Sequence, residues 1–207
     1  MLRLRAPQSG MTLIEILIAI TIMALLIMIG LPNMTVWLNN SQIRTAGETL
    51  LAGLTLARVE AVRRNQIVRF QMVSDLTSGC TISTTGKSWV VSLDSPDSLC
   101  DVAPNIDPPR IIQTRSGSEA TPRVTVTAQP VGVVYFNGLG RPTSPGGAAN
   151  MTQIDLSNPV GGACQNKAGT GGPMRCLRIL ISTGGEARMC DPAVDSAVLP
   201  NDPRLCP

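Results

Sequence analysis

The hydrophobic run of residues 11–31 constrains the fold most, because it holds a single charge. The run, MTLIEILIAITIMALLIMIGL, is 21 residues long, and Glu15 is its only charged residue. Roughly 20 apolar residues in a helix are enough to cross a hydrocarbon core about 30 Å thick. A carboxylate inside such a helix costs about 3 kcal/mol on insertion scales, so it is expected to have a partner and a role. The run therefore predicts a transmembrane helix in which Glu15 has a function.

The segment before the run, residues 1–10, carries Arg3 and Arg5 and no acidic residue. A secretory signal peptide also begins with basic residues, but here no A-x-A-type cleavage site follows the apolar run. A plain membrane anchor would accommodate the run, but it gives Glu15 no role. Neither alternative therefore accounts for both the basic start and Glu15.

The stretch GMTLIE, residues 10–15, resembles the class III signal of type IV prepilins and pseudopilins. In that family a prepilin peptidase on the cytoplasmic face cuts after the glycine of G-F-T-L-I-E and methylates the new N-terminus. Met11 stands where phenylalanine is usual. The resemblance implies that the chain is cut after Gly10 and that Met11 becomes the methylated N-terminus. It also implies that Glu15 neutralises the N-terminal amine of a neighbouring subunit, which sets the register between subunits in the filament core.

Helical periodicity continues after the run. Pro32 lies directly beyond it, as in many pilins that this sequence resembles, and a proline within a helix bends its axis. Glu60 and Arg64 form an i,i+4 pair near the end of the pattern. We therefore expect one helix from about residue 12 to about residue 64, with residues 32–64 as its amphipathic part. The apolar face of that part comprises residues at steps of three and four: Ile43, Ala46, Leu50, Leu54, Ala57 and Ala61.

From Asn65 onward the pattern changes to that of strands and turns. Short runs of β-branched residues alternate with clusters of Gly, Pro, Ser and Asp. About 140 residues can form one hydrophobic core, so residues 65–207 are expected to make a single β domain that covers the helix. Loops are expected at 137–150 and 161–173, followed by an irregular tail at 191–207. The expected strands are 67–73, 88–93, 110–115, 124–128, 132–136 and 176–182.

The six cysteines are expected to form disulfides. None lies in a C-x-x-C pair and the chain has no histidine, so a zinc site is disfavoured. An even number of cysteines in an exported chain favours disulfides, although the sequence alone leaves the pairing open. Pairs of sequence neighbours close the shortest loops, which favours Cys80–Cys100, Cys164–Cys176 and Cys190–Cys206.

Catalytic chemistry finds little support in this sequence. Without histidine the chain has no ordinary Ser-His or Cys-His nucleophile pair. Gly138 and Gly140 open no helix, so they form no dinucleotide fingerprint. The aspartates Asp94, Asp97 and Asp101 lie in loop-like sequence and are expected to face water. We expect a structural or binding protein that uses no cofactor and no metal.

The end of the predicted helix resembles one particular group within this family. LAGLTLARVEAVRRNQIV, residues 51–68, is similar to the GspH/FimT group, where an ARSEAVRRN-like stretch runs into the first strand. The later FNGLGRP and a G-x-x-R-x-C-x-P stretch give looser similarity. The group includes minor pilins of type IV pili and a minor pseudopilin of type II secretion. The resemblance implies an α+β, pilin-like fold, in which the long helix packs on a small, mostly antiparallel β domain with usually two sheets.

The same resemblance implies a place in the cell. A minor pilin is held in the bacterial inner membrane by one helix, with its C-terminal domain in the periplasm. It is processed by the prepilin peptidase and then joins other minor pilins and the major pilin in the fibre or tip at the cell surface. We expect this chain to help prime pilus assembly in a tip complex, and a minor pseudopilin of a type II secretion system is the alternative.

A DNA receptor at the pilus tip is a further alternative. Some members of the group capture DNA through a C-terminal G-R-x-R motif, and the corresponding residues here are GEAR, 185–188. Glu186 stands at the first arginine of that motif, which leaves Arg188 as the candidate contact. Phosphate affinity depends on clustered positive charge. The net charge is only +3, and it falls to +1 when Arg3 and Arg5 leave with the leader, so nucleic acid is a disfavoured partner.

Overall fold

One helix dominates the N-terminal third of the chain. The computed structural model describes residues 10–117, 121–167 and 169–206, so most of the predicted leader lies outside the described residues. Helix α1 spans Leu13–Arg64, which confirms the predicted helix. The side chains of residues 29–33 also lie outside the described part, and the bend predicted at Pro32 stays a prediction.

The chain divides into two compact units, of which the first ends at Trp37 and the second begins at Leu38. In the first unit the described large apolar side chains are exposed, except for the half-buried Val36. Within the part of the chain that was described, no helix has the length and apolar character needed to cross a membrane. The second unit contains the rest of α1 and all the strands.

Two antiparallel sheets make up the β domain, as expected for the α+β, pilin-like class. The strands are β1 Val68–Val73, β2 Ser88–Ser92, β3 Ile111–Arg115, β4 Thr125–Gln129, β5 Val133–Phe136, β6 Pro142–Thr143, β7 Gln153–Ser157, β8 Leu177–Ile181 and β9 Ala187–Cys190. One sheet has the strand order β3-β2-β1-β5-β6 and the other has the order β4-β7-β8-β9. A short 3-10 helix at Pro145–Gly147 follows β6.

The six predicted strands are confirmed within one residue at each end, and three strands were missed. Strand β6 is two residues long and begins with proline, which is tolerated at a sheet edge. Strand β7 alternates polar residues with only two buried apolar ones, Ile154 and Leu156. Strand β9, ARMC, holds no β-branched residue. The prediction of a loop across 137–150 was therefore wrong at β6.

The predicted apolar face of α1 is the face that packs on the sheets. Its six residues are at most 4% exposed. Two glycines on α1 let the backbone come close to both sheets. A Cβ at Gly53 would lie 2.7 Å from Cε2 of Phe70 and 3.0 Å from the Trp89 ring, and one at Gly47 would lie 2.7 Å from Sδ of Met189.

These two glycines give a matched pair of predictions for stability. Gly53→Ala places a methyl group against two rigid rings, and we expect the free energy of unfolding to fall by about 1–3 kcal/mol. Gly47→Ala meets the end of the flexible Met189 side chain, which can move aside. This second change should be neutral or should stabilise by up to about 1 kcal/mol, because alanine favours helix. Urea unfolding of both variants tests the pair, and equal effects would contradict the packing account.

A hydrophobic cluster joins strands β1, β2 and β3 to the loops that follow β1 and β2. It comprises Val73, Cys80, Val90, Cys100 and Ile111, each at most 2% exposed. The disulfide between Cys80 and Cys100 lies within this cluster. The other two disulfides join Cys164 to Cys176 and Cys190 to Cys206. These are the pairs that short loop length favours.

Two of the loop aspartates do not simply face water, which corrects the expectation from sequence. Nε and Nη2 of Arg110 donate to the two carboxylate oxygens of Asp94 at 2.6 and 2.7 Å. Nε2 of the buried Gln71 donates to Oδ1 of Asp97 at 2.6 Å. Asp94 therefore joins the two ends of the loop between β2 and β3, and Asp97 ties that loop to β1.

The bidentate pair gives a pH-dependent prediction. The hydrogen bonds from Arg110 lower the pKa of Asp94 from its ordinary value. A lowered carboxyl pKa contributes stability above the pKa of the unfolded chain, and this stability is lost as the pH falls through the folded value. Asp94→Asn should destabilise by about 0.5–1 kcal/mol at neutral pH, since the pair is partly exposed, and by much less near pH 2. Urea unfolding at both pH values checks this, and a deficit that does not depend on pH would contradict it.

Candidate functional site

The predicted cleavage site, Gly10–Met11, is freely accessible. Met11 is 80% exposed. A Cβ built on Gly10 meets no heavy atom within 4 Å, and the backbone of Gly10 does not have the positive φ that favours glycine. Among the described residues, packing therefore does not require glycine at this position.

Glu15 caps the start of its own helix. Its backbone N–H donates to Oγ1 of Thr12 at 3.4 Å, and Oε2 of Glu15 accepts from the N–H of Thr12 at the same distance. This reciprocal arrangement is a capping box, in which residues three apart satisfy two N–H groups at a helix N-terminus. The helix dipole also favours a negative charge at that end. Sequence reasoning missed this role, although T-x-x-E before an apolar run is its signature.

The helix around Glu15 is apolar on every side and unpartnered. Every large apolar side chain between Met11 and Met28 is at least 45% exposed. A helix that is hydrophobic all round is stable only inside a larger protein assembly or a membrane. This segment therefore presents one capped carboxylate on a helix that requires apolar surroundings.

The three stretches that carry the family resemblance meet in the folded chain. Arg58 lies in the ARVEAVRRN stretch of α1, and its guanidinium donates to the carbonyl oxygens of Gly140 at 3.2 Å and Gly184 at 3.4 Å. Gly140 belongs to FNGLGRP, and Gly185 begins the G-x-x-R-x-C-x-P stretch. Both glycines have positive φ, +72° and +83°, and a Cβ at Gly185 would overlap the carbonyl oxygen of Gly140. The shared residues thus build one junction between α1 and two turns, which sequence reasoning could not locate.

Arg188 lies on β9, and the structure gives it a partner within the chain. Its Nη2 donates to the carbonyl oxygen of Leu205 at 2.9 Å, which holds the tail against the edge of the sheet. The groove beside it, of about 630 Å³, is lined by Arg188 and Glu186, with polar and aliphatic side chains around them. One cation beside one anion is not the clustered positive charge that phosphate binding needs.

The basic residues near the end of α1 also have partners within the chain. Glu60 accepts from Arg63 and from Arg64, each at 2.7 Å. These hydrogen bonds lower the pKa of the Glu60 carboxyl. Arg69 lies over the ring of Tyr135, 5.0 Å from its centre. Among the residues that the structure describes, no group of three or more ligating side chains could hold a metal ion.

Comparison with known proteins gives two family matches. Residues 46–185 match the family model described as type II transport protein GspH, and residues 5–31 match the prokaryotic N-terminal methylation motif. No curated protein matches the chain.

Among solved structures, the chain is similar to the type IV minor pilin FimU of Pseudomonas aeruginosa, strain PAO1, in two crystal forms. In one form the identity is 18% and the TM-score 0.44, over 70% of this chain and 90% of that chain. In the other form the identity is 19% and the TM-score 0.44, over 72% and 88%.

Proposed function

The chain belongs to the GspH family of type IV minor pilins and pseudopilins, and on this premise we propose that it is a minor type IV pilin that helps prime pilus assembly in a tip complex. The observation that carries the proposal is the exposed apolar helix with one capped carboxylate near its start. A segment of this kind suits a subunit that is held in a membrane before assembly and then packs against similar helices.

The proposed maturation begins at the leader. The prepilin peptidase cuts after Gly10, and the new amine at Met11 is methylated. The apolar segment then holds the chain in the inner membrane, with the β domain in the periplasm. Other minor pilins and the major pilin are the partners during assembly.

Glu15 is proposed to exchange partners as the subunit assembles. In the single chain its carboxylate accepts from the N–H of Thr12 at 3.4 Å, which is a long hydrogen bond. In a filament core the methylated amine of a neighbour is a stronger partner, because a charge-assisted hydrogen bond is roughly twice as strong as a neutral one. A buried charge without a partner is strongly unfavourable, so one register between subunits is preferred.

A minor pseudopilin of a type II secretion system is the second candidate. The matching family, described as type II transport protein GspH, favours it. The apolar helix and Glu15 would act in the same way in either machine. The DNA receptor has less support, because Arg188 is bonded to Leu205 and lies beside Glu186.

Deletion of the gene in its own organism distinguishes these candidates. Surface pili, secreted proteins and natural transformation are measured in the same deletion strain. Loss of pili supports the proposed minor pilin, whereas normal pili with lost secretion would contradict it in favour of the pseudopilin. Normal pili and secretion with lost DNA uptake would contradict both and favour the receptor.

A further inference from the structure

The described residues of the loop between β7 and β8, 158–167 and 169–176, contact α1 where the second unit begins. We call it the clasp loop. Its main contact is the side chain of Asn40. Oδ1 of Asn40 accepts from the N–H of Arg175 at 2.7 Å, and its Nδ2 donates to the carbonyl oxygen of Pro173 at 3.3 Å. One asparagine on the helix thus holds two backbone groups of the clasp loop.

A second asparagine, Asn39, closes the other end of the clasp loop. Its Oδ1 accepts from Nδ2 of Asn158 at 3.3 Å, and Asn158 also accepts from the N–H of Gly161. Asn39 is 8% exposed and Asn158 is fully buried. A Cβ at Gly161 would lie 2.9 Å from Nδ2 of Asn39 and 2.5 Å from Sδ of the buried Met174. The contact is therefore close as well as polar.

Residues 38–47 of α1 have apolar and polar attachments to the β domain. Their buried apolar side chains are Ile43 and Ala46. Residues 48–64 bury four more apolar side chains, and there Arg58 donates to two turns. For residues 38–47 the corresponding side-chain hydrogen bonds are those of Asn39 and Asn40 to the clasp loop.

One disulfide crosslinks the clasp loop, beside backbone hydrogen bonds such as that from the N–H of Gln165 to the carbonyl oxygen of Met174. Cys164 and Cys176 are joined across a sequence separation of 12. Cys164 is exposed to solvent, whereas Cys80, Cys100 and Cys190 are at most 2% exposed and Cys206 is partly exposed. A reductant must reach a sulfur atom to react, so exposure favours reduction of this bond before the other two.

We propose that the clasp loop is a redox-sensitive device that holds residues 38–47 of α1 on the β domain less firmly once the bond between Cys164 and Cys176 is reduced. A dithiol reductant breaks the S–S bond by thiol–disulfide exchange, leaves two cysteine thiols and becomes a disulfide itself. The segment between the two cysteines then gains conformational freedom, which weakens the hydrogen bonds of Asn40 to Pro173 and Arg175. The rest of α1 stays packed.

Hydrogen exchange on the full processed chain in detergent micelles tests the inference. Dithiothreitol is added in steps, and mass spectrometry of alkylated peptides identifies which bond opens first. We expect Cys164–Cys176 to open first, and the amides of residues 40–47 then to exchange about tenfold faster. The amides of residues 54–61 should not change. Earlier opening of another bond, or unchanged exchange at 40–47, would overturn the inference.

Variants distinguish a local effect of the clasp loop on residues 40–47 from a general loss of stability. Asn40→Ala, with all disulfides intact, should speed exchange at residues 40–47 and nowhere else. The matched control is Asn166→Ala, because Asn166 bonds to Thr170 within the loop and not to the helix. The double change Cys190→Ser and Cys206→Ser removes another crosslink and should leave exchange at 40–47 as it was. Parallel changes at 40–47 and 54–61 in Asn40→Ala would refute a local device.

Discussion

A Gly10→Val variant should accumulate as an uncut precursor that is longer than the processed chain by residues 1–10. The reason is recognition and not folding, since a Cβ at Gly10 would meet no described heavy atom within 4 Å beyond its chain neighbours. The branched side chain at the cleavage position would instead block entry of the backbone into the peptidase. Intact-mass measurement of the chain from membranes gives the result directly, because the leader and the N-terminal methyl group change the mass together.

The control for this variant is Met11→Phe, which introduces the residue usual at that position of the resembling signal. It should be cut and methylated as the wild type is. A normal processed mass for Gly10→Val would show that the leader is not read at this glycine, and the boundary after Gly10 would be wrong.

Glu15→Gln should be processed and kept in the membrane, yet its amount in sheared pili should fall at least tenfold. Removing one partner of a buried ion pair costs about 3–5 kcal/mol, which is more than such a tenfold loss requires. Glutamine can still cap the helix, because the capping box accepts Glu or Gln. The variant therefore removes the charge and leaves the local structure of the helix start.

Thr12→Ala is the complementary variant. It removes the hydroxyl that accepts from the N–H of Glu15, at a cost of about 1 kcal/mol, and it keeps the carboxylate. We expect close to normal incorporation into pili, measured by quantitative immunoblotting of membrane and sheared fractions. Normal incorporation of Glu15→Gln with a defect in Thr12→Ala would mean that capping, and not charge, is the role of Glu15.

Much of the fold could be predicted because its signals are local. The helix is marked by an unbroken apolar run followed by residues at steps of three and four, and six strands are marked by β-branched runs. The cysteine pairs are also local, since each joins neighbours in sequence. Strands β7 and β9 were not predicted. A strand with a polar outer face, or one without β-branched residues, has a sequence pattern like that of a loop.

The contacts that position the helix were harder to predict because they join residues distant in sequence. Arg58 bonds to Gly140 and Gly184, and Asn40 bonds to Pro173. The sequence around an arginine or an asparagine in a helix does not show which distant group its side chain bonds to. Asp94 was expected to face water for the same reason, since Arg110 lies 16 positions away.

The direct test of the account is the number of surface pili in the deletion strain when it expresses the wild-type chain, Glu15→Gln or Thr12→Ala at equal membrane levels. The account predicts that the wild type and Thr12→Ala restore pili and that Glu15→Gln does not. Equal restoration by Glu15→Gln would contradict the claim that this chain needs the charge of Glu15 to enter a filament.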